Sequence, residues 1–131
     1  MYVLDTNTLI YFFKGLGNVP AKLLASPPQE IGIPSIVVYE LEVGIAKSIL
    51  PAKRTKQLAD FLSLVHILPF GLSEAKNAAQ IRAALEQQGQ PIGPYDILIA
   101  ATAMANNAIL ITHNTKEFGR IAQLRLEDWF S

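Results

Sequence analysis

The chain has 131 residues, 50% of them hydrophobic and 17% charged, a balance that excludes intrinsic disorder and fits a single α/β domain over residues 1–131. Lys plus Arg and Asp plus Glu number 11 each, a formal net charge of zero; this excludes a histone-like grip on nucleic acid, leaves room for a local basic patch, and offers little repulsion against self-association. Cysteine is absent, which excludes disulfides and cysteine-ligated zinc and makes the cytosol the expected compartment.

Residues 1–4 read as a first strand; Asp5 interrupts the apolar start, and no basic stretch precedes it, so no signal peptide is expected. A helix is expected over Thr8–Lys14 and a short one after Pro20. Ile31–Ile33 forms a second strand. Ser35 is placed to cap a helix whose apolar residues Val37, Val38, Leu41 and Ile45 recur at helical spacing. Pro51 suits the first turn of the next helix, with Leu58, Leu62 and Val65 on one stripe. His66–Leu68 is a third strand, in which His66 is expected to be structural. Ser73-Glu74 opens a helix carrying Ala78, Ile81 and Leu85, and Gly89 ends it. Pro94 starts a small-residue helix through Ala100, Ala101 and Ala105, suited to close packing on a sheet. Ala108–Thr112 is a fourth strand, and Leu124–Leu126 reads as a short last one. No apolar run approaches the ~20 residues of a membrane span. Short apolar strands alternating with helices predict a helix-rich α/β fold around a buried, mainly parallel sheet.

Ligands gather at the carboxyl ends of the strands in such sheets. Asp5 follows the first strand there, Thr112 and Asn114 close the fourth, and Asp96 lies in the first helical turn before it. Each also has an ordinary structural role. Asp5 can cap a helix, Asp96 suits a helix N-terminus, and Asn114-Thr115-Lys116-Glu117 has capping-box spacing. Glu40 stands among Ile36, Val37, Val43 and Gly44, and Glu42 among Val38, Tyr39, Ile45 and Ala46. A carboxylate in such surroundings is costly unless it is paired, metal-bound or on a solvated rim, and helical geometry does not choose between the two. Taken together, acids at the ends of separate elements point to a carboxylate pocket that needs a cation. Oxygen-only ligands favour Mg²⁺ or Mn²⁺, which serve phosphodiester hydrolysis.

The ordered set Val3-Leu4-Asp5-Thr6-Asn7, Glu40-Leu41-Glu42-Val43-Gly44, Gly93-Pro94-Tyr95-Asp96-Ile97 and Leu110-Ile111-Thr112-His113-Asn114-Thr115-Lys116-Glu117-Phe118 resembles the VapC family of PIN domains. The likeness runs down to Leu126-Glu127-Asp128-Trp129. Ile81-Arg82-Ala83 with Gly89-Gln90-Pro91-Ile92-Gly93 is similar to the enterobacterial-type branch. The resemblance implies a three-layer PIN-domain fold, a short mainly parallel sheet flanked by helices, and a ribonuclease toxin of a type II toxin–antitoxin pair. Matched position by position, Asp5 and Asp96 are implied as the main metal ligands, and Glu40 completes the triad. Asn114 and Glu117 stand in the segment where PIN domains often carry a fourth acid. Asn7 and Thr112 are implied as supporting groups that orient water or carboxylates. The implied reaction is in-line attack of a metal-activated water on an RNA phosphate, leaving 5′-phosphate and 3′-hydroxyl ends. Initiator tRNA, cut at its anticodon loop, is the implied target. A second copy of the chain and a VapB-like antitoxin are the implied partners, with DNA bound only through the antitoxin.

Other features carry less. His113, between Thr112 and Asn114, is a weaker candidate for touching RNA. Lys47, Lys53, Arg54 and Lys56 read as a solvated helix surface, and Arg82 as the partner of an acid. Gly15-Leu16-Gly17 follows a helix and lacks a third glycine, so it is no dinucleotide fingerprint. One rival is a haloacid-dehalogenase-like phosphatase, but Asn7 occupies the place of its second aspartate. Another is a PIN fold that has lost catalysis and serves as a binding module; Asp5, Glu40 and Asp96 together argue against it.

Overall fold

In the computed structural model, which describes residues 1–131, five short strands lie side by side and all parallel. They are β1 (Tyr2–Leu4), β2 (Ile31–Pro34), β3 (His66–Leu68), β4 (Ile109–Ile111) and β5 (Leu126–Glu127), in the order β3-β2-β1-β4-β5. Helices α1 (Thr6–Lys14) and α2 (Val19–Leu24) join β1 to β2; α3 (Ser35–Ala46) and α4 (Pro51–Leu62) join β2 to β3. Helices α5 (Leu72–Gln87) and α6 (Pro94–Ala105) lead into β4, and α7 (Thr115–Phe118) precedes β5. A 3₁₀ turn at Pro28–Glu30, not foreseen from sequence, feeds β2. The chain leaves β1 towards β2 on one side, while β4 arrives on the other. Right-handed crossovers therefore put the connections on opposite faces, and the strand order reverses between β1 and β4. No helix is long and apolar enough to cross a membrane.

The core is one cluster of 25 buried hydrophobic residues. Val3, Leu4, Leu110 and Ile111 are fully buried in the two central strands, and all four residues of β2 are buried. Helix α6 buries Ile97, Ile99, Ala100, Ala101, Thr102 and Ala103; its small side chains let α5 and the sheet approach closely, as expected from the alanines. At the far edge, β3 exposes His66 and Ile67 and buries only Leu68. His66 is thus solvent-exposed on an edge strand, paired in register with Gly32 of β2.

Several boundaries move, each for a local reason. Helix α1 starts at Thr6 because the Asp5 carboxylate accepts the Thr8 N–H. Pro34, at φ −59° and ψ 142°, holds the place before α3, so Ser35 is its first residue and no side chain caps it. Helix α4 ends at Leu62, which leaves Val65 outside it. Helix α5 opens at Leu72 because Glu74 Oε1 accepts the Gly71 N–H at 2.7 Å. Gly89, at φ +66°, ends it as expected, with the Gly89 and Gln90 N–H groups donating to the Glu86 and Leu85 carbonyls. The last strand falls at Leu126–Glu127 rather than Leu124–Leu126, because its register is set against Leu110 and Ile111 of β4.

The C-terminus folds back over the start of the chain. Trp129 is 4% exposed and packs on Tyr2 with ring centroids 5.2 Å apart. The Phe130 ring meets Tyr11 at 4.8 Å, and its carbonyl accepts the Asn18 N–H at 3.0 Å. Gly17 makes this possible: its φ is +62°, and a Cβ there would lie 2.6 Å from the Phe130 carbonyl oxygen.

Candidate active site

The site forms where the strand order reverses, at the carboxyl ends of β1 and β4. Asp5 is only 5% exposed. It caps α1 by accepting the Thr8 N–H at 2.9 Å through Oδ1, while Oδ2 accepts the Thr112 hydroxyl at 2.6 Å. The Thr8 hydroxyl in turn donates to the Ile111 carbonyl at 3.1 Å, which ties α1 to β4. Helix cap and candidate site group are therefore one residue, held by two strands at once. Burial raises the Asp5 pKa above the usual carboxylate range; the hydrogen bonds from Thr112 and Thr8 oppose this, and the Asp128 charge adds to it.

Asn114 continues the chain of contacts. Its N–H donates to Thr112 Oγ1 at 3.0 Å, and its side-chain amide donates to Glu117 Oε2 at 3.2 Å. Asn114 Oδ1 lies 3.5 Å from the Glu117 N–H. The expected capping box is thus only half made, because Thr112 takes the backbone N–H that Glu117 would otherwise receive. Glu117 is consequently turned by an amide side chain.

Glu40 is half-buried on α3, and Oε1 accepts the Thr6 hydroxyl at 2.7 Å across 34 residues of sequence. Glu42 is exposed. The solvated rim therefore holds Glu42, and the site holds Glu40. Asp96 sits in the first turn of α6, half-buried. Its pKa is pushed up to about 6, first by burial and then by the charges of Asp5, Glu40 and Glu117. No hydrogen bond or ion pair offsets that repulsion.

No three acidic or imidazole side chains stand close enough together in this structure to hold a metal ion by themselves. The arrangement is instead open: Asp96 on α6 feels the charges of Asp5, Glu40 and Glu117, which three other elements carry. A hard divalent cation fits such a donor set, since Mg²⁺ takes one or two carboxylates and keeps waters or phosphate oxygens for its other positions. The side chains fit the ion through their oxygen chemistry and uncompensated charge.

Of the residues expected from sequence, Asp5, Glu40, Asp96, Glu117, Asn114 and Thr112 come together. Asn7 is exposed on the first turn of α1 and makes no side-chain hydrogen bond. His113 Nδ1 pairs with Asp128 Oδ2 at 2.9 Å while its ring rests 4.4 Å from that of Phe130. Arg82 pairs with Glu86 one turn along α5 at 3.4 Å, as expected. Sequence reasoning missed Thr6 and Thr8. The Asp5-x-x-Thr8 spacing carried a signal for the second; nothing local announced the first. It also missed the exposed Tyr39–Tyr95 pair, with hydroxyls 3.4 Å apart, although each tyrosine precedes a site acid.

A parallel sheet of this order with carboxylates converging on its switch point defines a class of small α/β nuclease-like folds, the PIN domains. The sequence profile of the PIN domain matches residues 2–124, and the chain belongs to that family. Within it the chain is of the VapC type. It is 37% identical over 131 residues to the tRNA(fMet)-specific endonuclease VapC of Shigella flexneri, covering 98% of this chain and 97% of the relative. The toxin chain of VapBC2 from Rickettsia felis, solved bound to a promoter DNA fragment, superposes with a TM-score of 0.90 at 39% identity, covering 98% of each chain. DNA-bound VapBC from Salmonella typhimurium gives 0.91 at 34% identity over 98% of this chain and 97% of that one.

Proposed function

We propose that the chain is a divalent-metal-dependent endoribonuclease, the toxin of a pair with a VapB-like antitoxin. The observation that carries this reading is Asp96, a half-buried carboxylate facing Asp5, Glu40 and Glu117 without a single compensating partner. Such an arrangement is unfavourable by itself and becomes favourable around a cation.

Asp5, Asp96 and Glu40 would hold Mg²⁺ or Mn²⁺. An ion bound there lowers the pKa of a water and offsets charge on a phosphate. The chain's own residues do the positioning. Thr112 and Thr8 fix both oxygens of Asp5, and Thr6 fixes one oxygen of Glu40, leaving the other free to face the site. Asn114 aims Glu117, whose free oxygen is a second place to orient a water or accept its proton. In-line displacement at an RNA phosphate then leaves 5′-phosphate and 3′-hydroxyl ends. The tRNA(fMet)-specific endonuclease activity of the Shigella flexneri relative supports a tRNA as substrate, with initiator tRNA first to test. Neighbours solved as VapBC complexes on DNA support an antitoxin that supplies the DNA contact. The chain is taken to act as one domain over residues 1–131, as a homodimer, in the cytosol.

The test is cleavage of total tRNA by antitoxin-free protein with Mg²⁺, beside an Asp5→Ala control. Cleavage by the wild type alone, abolished by EDTA and leaving 5′-phosphate ends, is expected. Cleavage that persists in EDTA or in Asp5→Ala refutes the metal-site reading.

A further inference from the structure

Two tyrosines flank the candidate metal ligands. Tyr39 stands directly before Glu40 on α3 and Tyr95 directly before Asp96 on α6, and they are 50% and 44% exposed. Neither lines the groove between α1, α3 and α4. Their rings meet edge to face, with centroids 5.7 Å apart and planes at 64°, and their hydroxyls lie 3.4 Å apart. An edge-to-face contact covers little of either ring, so aromatic surface of both stays in solvent. The two hydroxyls share one hydrogen bond and have no other partner, which leaves one O–H between them free to donate. The Tyr95 hydroxyl is held above the ordinary phenol range chiefly by its bond with Tyr39, and the charge of Glu40 adds to this. It is therefore a neutral donor at physiological pH, within electrostatic reach of the carboxylate site.

We infer that Tyr39 and Tyr95 form a stacking platform for an unpaired base of the RNA strand, next to the phosphate that is cut. The inference rests on the endoribonuclease reading and adds to it the contact that holds the strand beside the carboxylates. A nucleotide answers both features of the pair. Its base lies on an open ring face, and its sugar–phosphate oxygens accept the spare O–H. A chain of zero net charge, with no cation paired to the site acids, also lacks the means to grip RNA through phosphates alone. An aliphatic side chain of a protein partner would cover the rings and leave the O–H without an acceptor. A second copy of the chain packed on both rings would lie against Glu40 and Asp96, the next residues in sequence, and keep RNA from them. Because stacking requires a base that is not paired, the platform selects loops over helices.

Both side chains are half-exposed, so replacing them leaves the core alone. The full-length, antitoxin-free protein carrying Asp5→Asn, which leaves RNA uncut, is titrated with two dye-labelled decamers and read by anisotropy. One is oligo(rA); the other has the same ribose–phosphate backbone without bases. Oligo(rA) is expected to bind about tenfold more tightly than the abasic strand. Tyr39→Ala and Tyr95→Ala should each remove most of that gap by weakening oligo(rA) alone. Tyr39→Phe and Tyr95→Phe keep the rings and should retain the gap to within about threefold. Sedimentation velocity should show the same assembly for all of them. Equal binding of the two strands by the parent protein, or a gap that survives both alanine substitutions, overturns the inference. So does an alanine variant that falls apart into smaller species and loses both strands together, which assigns the rings to a contact between copies. A protein that shows the gap and whose Asp5 form cuts no tRNA refutes the nuclease reading alone; a nuclease whose gap ignores both tyrosines refutes the platform alone.

Discussion

Replacing Asp96 by Asn should make the metal-free protein more stable at neutral pH while abolishing its activity. The Asp96 pKa is raised from 3.8 to about 6 by burial and by its acidic neighbours. The folded state therefore binds this proton more tightly than the unfolded chain does. Below pH 3.8 the group is protonated in both states and costs nothing. The penalty grows as pH rises towards 6 and is complete above it. At ~1.4 kcal/mol per pH unit, the interval from 3.8 to about 6 sets a ceiling of about 3 kcal/mol. Partial exposure and solvent screening reduce this to about 1.5 kcal/mol. Asn keeps the shape, sheds the charge and loses no hydrogen bond, because Asp96 makes none. At about 3 °C of Tm per kcal/mol for a chain of this size, Asp96→Asn should melt roughly 5 °C above wild type at pH 7.5 in EDTA. The difference should vanish by pH 4. Saturating Mg²⁺ should reverse the order, since it stabilises only the protein that holds it. Equal or lower Tm for Asp96→Asn at pH 7.5 in EDTA would refute the account of mutual carboxylate repulsion.

Three further outcomes follow from the same contacts. Thr112→Val removes the hydroxyl that holds Asp5 and strands the Asn114 N–H, so a urea titration at pH 7 should show a loss of about 2 kcal/mol. Thr6→Val frees Glu40 and should lower kcat about tenfold with little change in Tm, Thr6→Ser restoring it; an unchanged kcat would show that the hydrogen bond does not position Glu40. Gly17→Ala forces a Cβ against the Phe130 carbonyl at a positive φ and should cost about 2 kcal/mol in thermal melts; a neutral effect would mean that the C-terminal residues yield without loss.

The parts of the fold legible in the sequence are those decided within a few residues. Val3-Leu4, Ile31–Ile33 and Ile109–Ile111 announce buried strands by unbroken apolar runs, and Gly89 and Pro94 mark helix ends through backbone geometry alone. Asp5 and Asp96 could be placed because strand ends and helix starts lie at one edge of a parallel sheet. What escaped reading depends on distant partners. Helical spacing alone does not separate Glu40 from Glu42; the family resemblance picks out Glu40, and its contact with the Thr6 hydroxyl, 34 residues away, lies beyond any local pattern. The last strand lies further along than its own apolar pattern suggests, because its register answers to β4.

The meeting of β1 and β4 also governs when the protein becomes competent during its synthesis. Asp5 leaves the ribosome 107 residues ahead of Thr112, which holds it, and likewise well ahead of Ile111, whose carbonyl accepts its backbone N–H. The Phe130 carbonyl that closes over Asn18 comes later still. A chain halted at any point before β4 carries Asp5 on a strand with no neighbour on that side and without the hydroxyl that seats it. Assembling the site from segments 107 residues apart means that a chain without β4 holds no seated Asp5 and no completed carboxylate array.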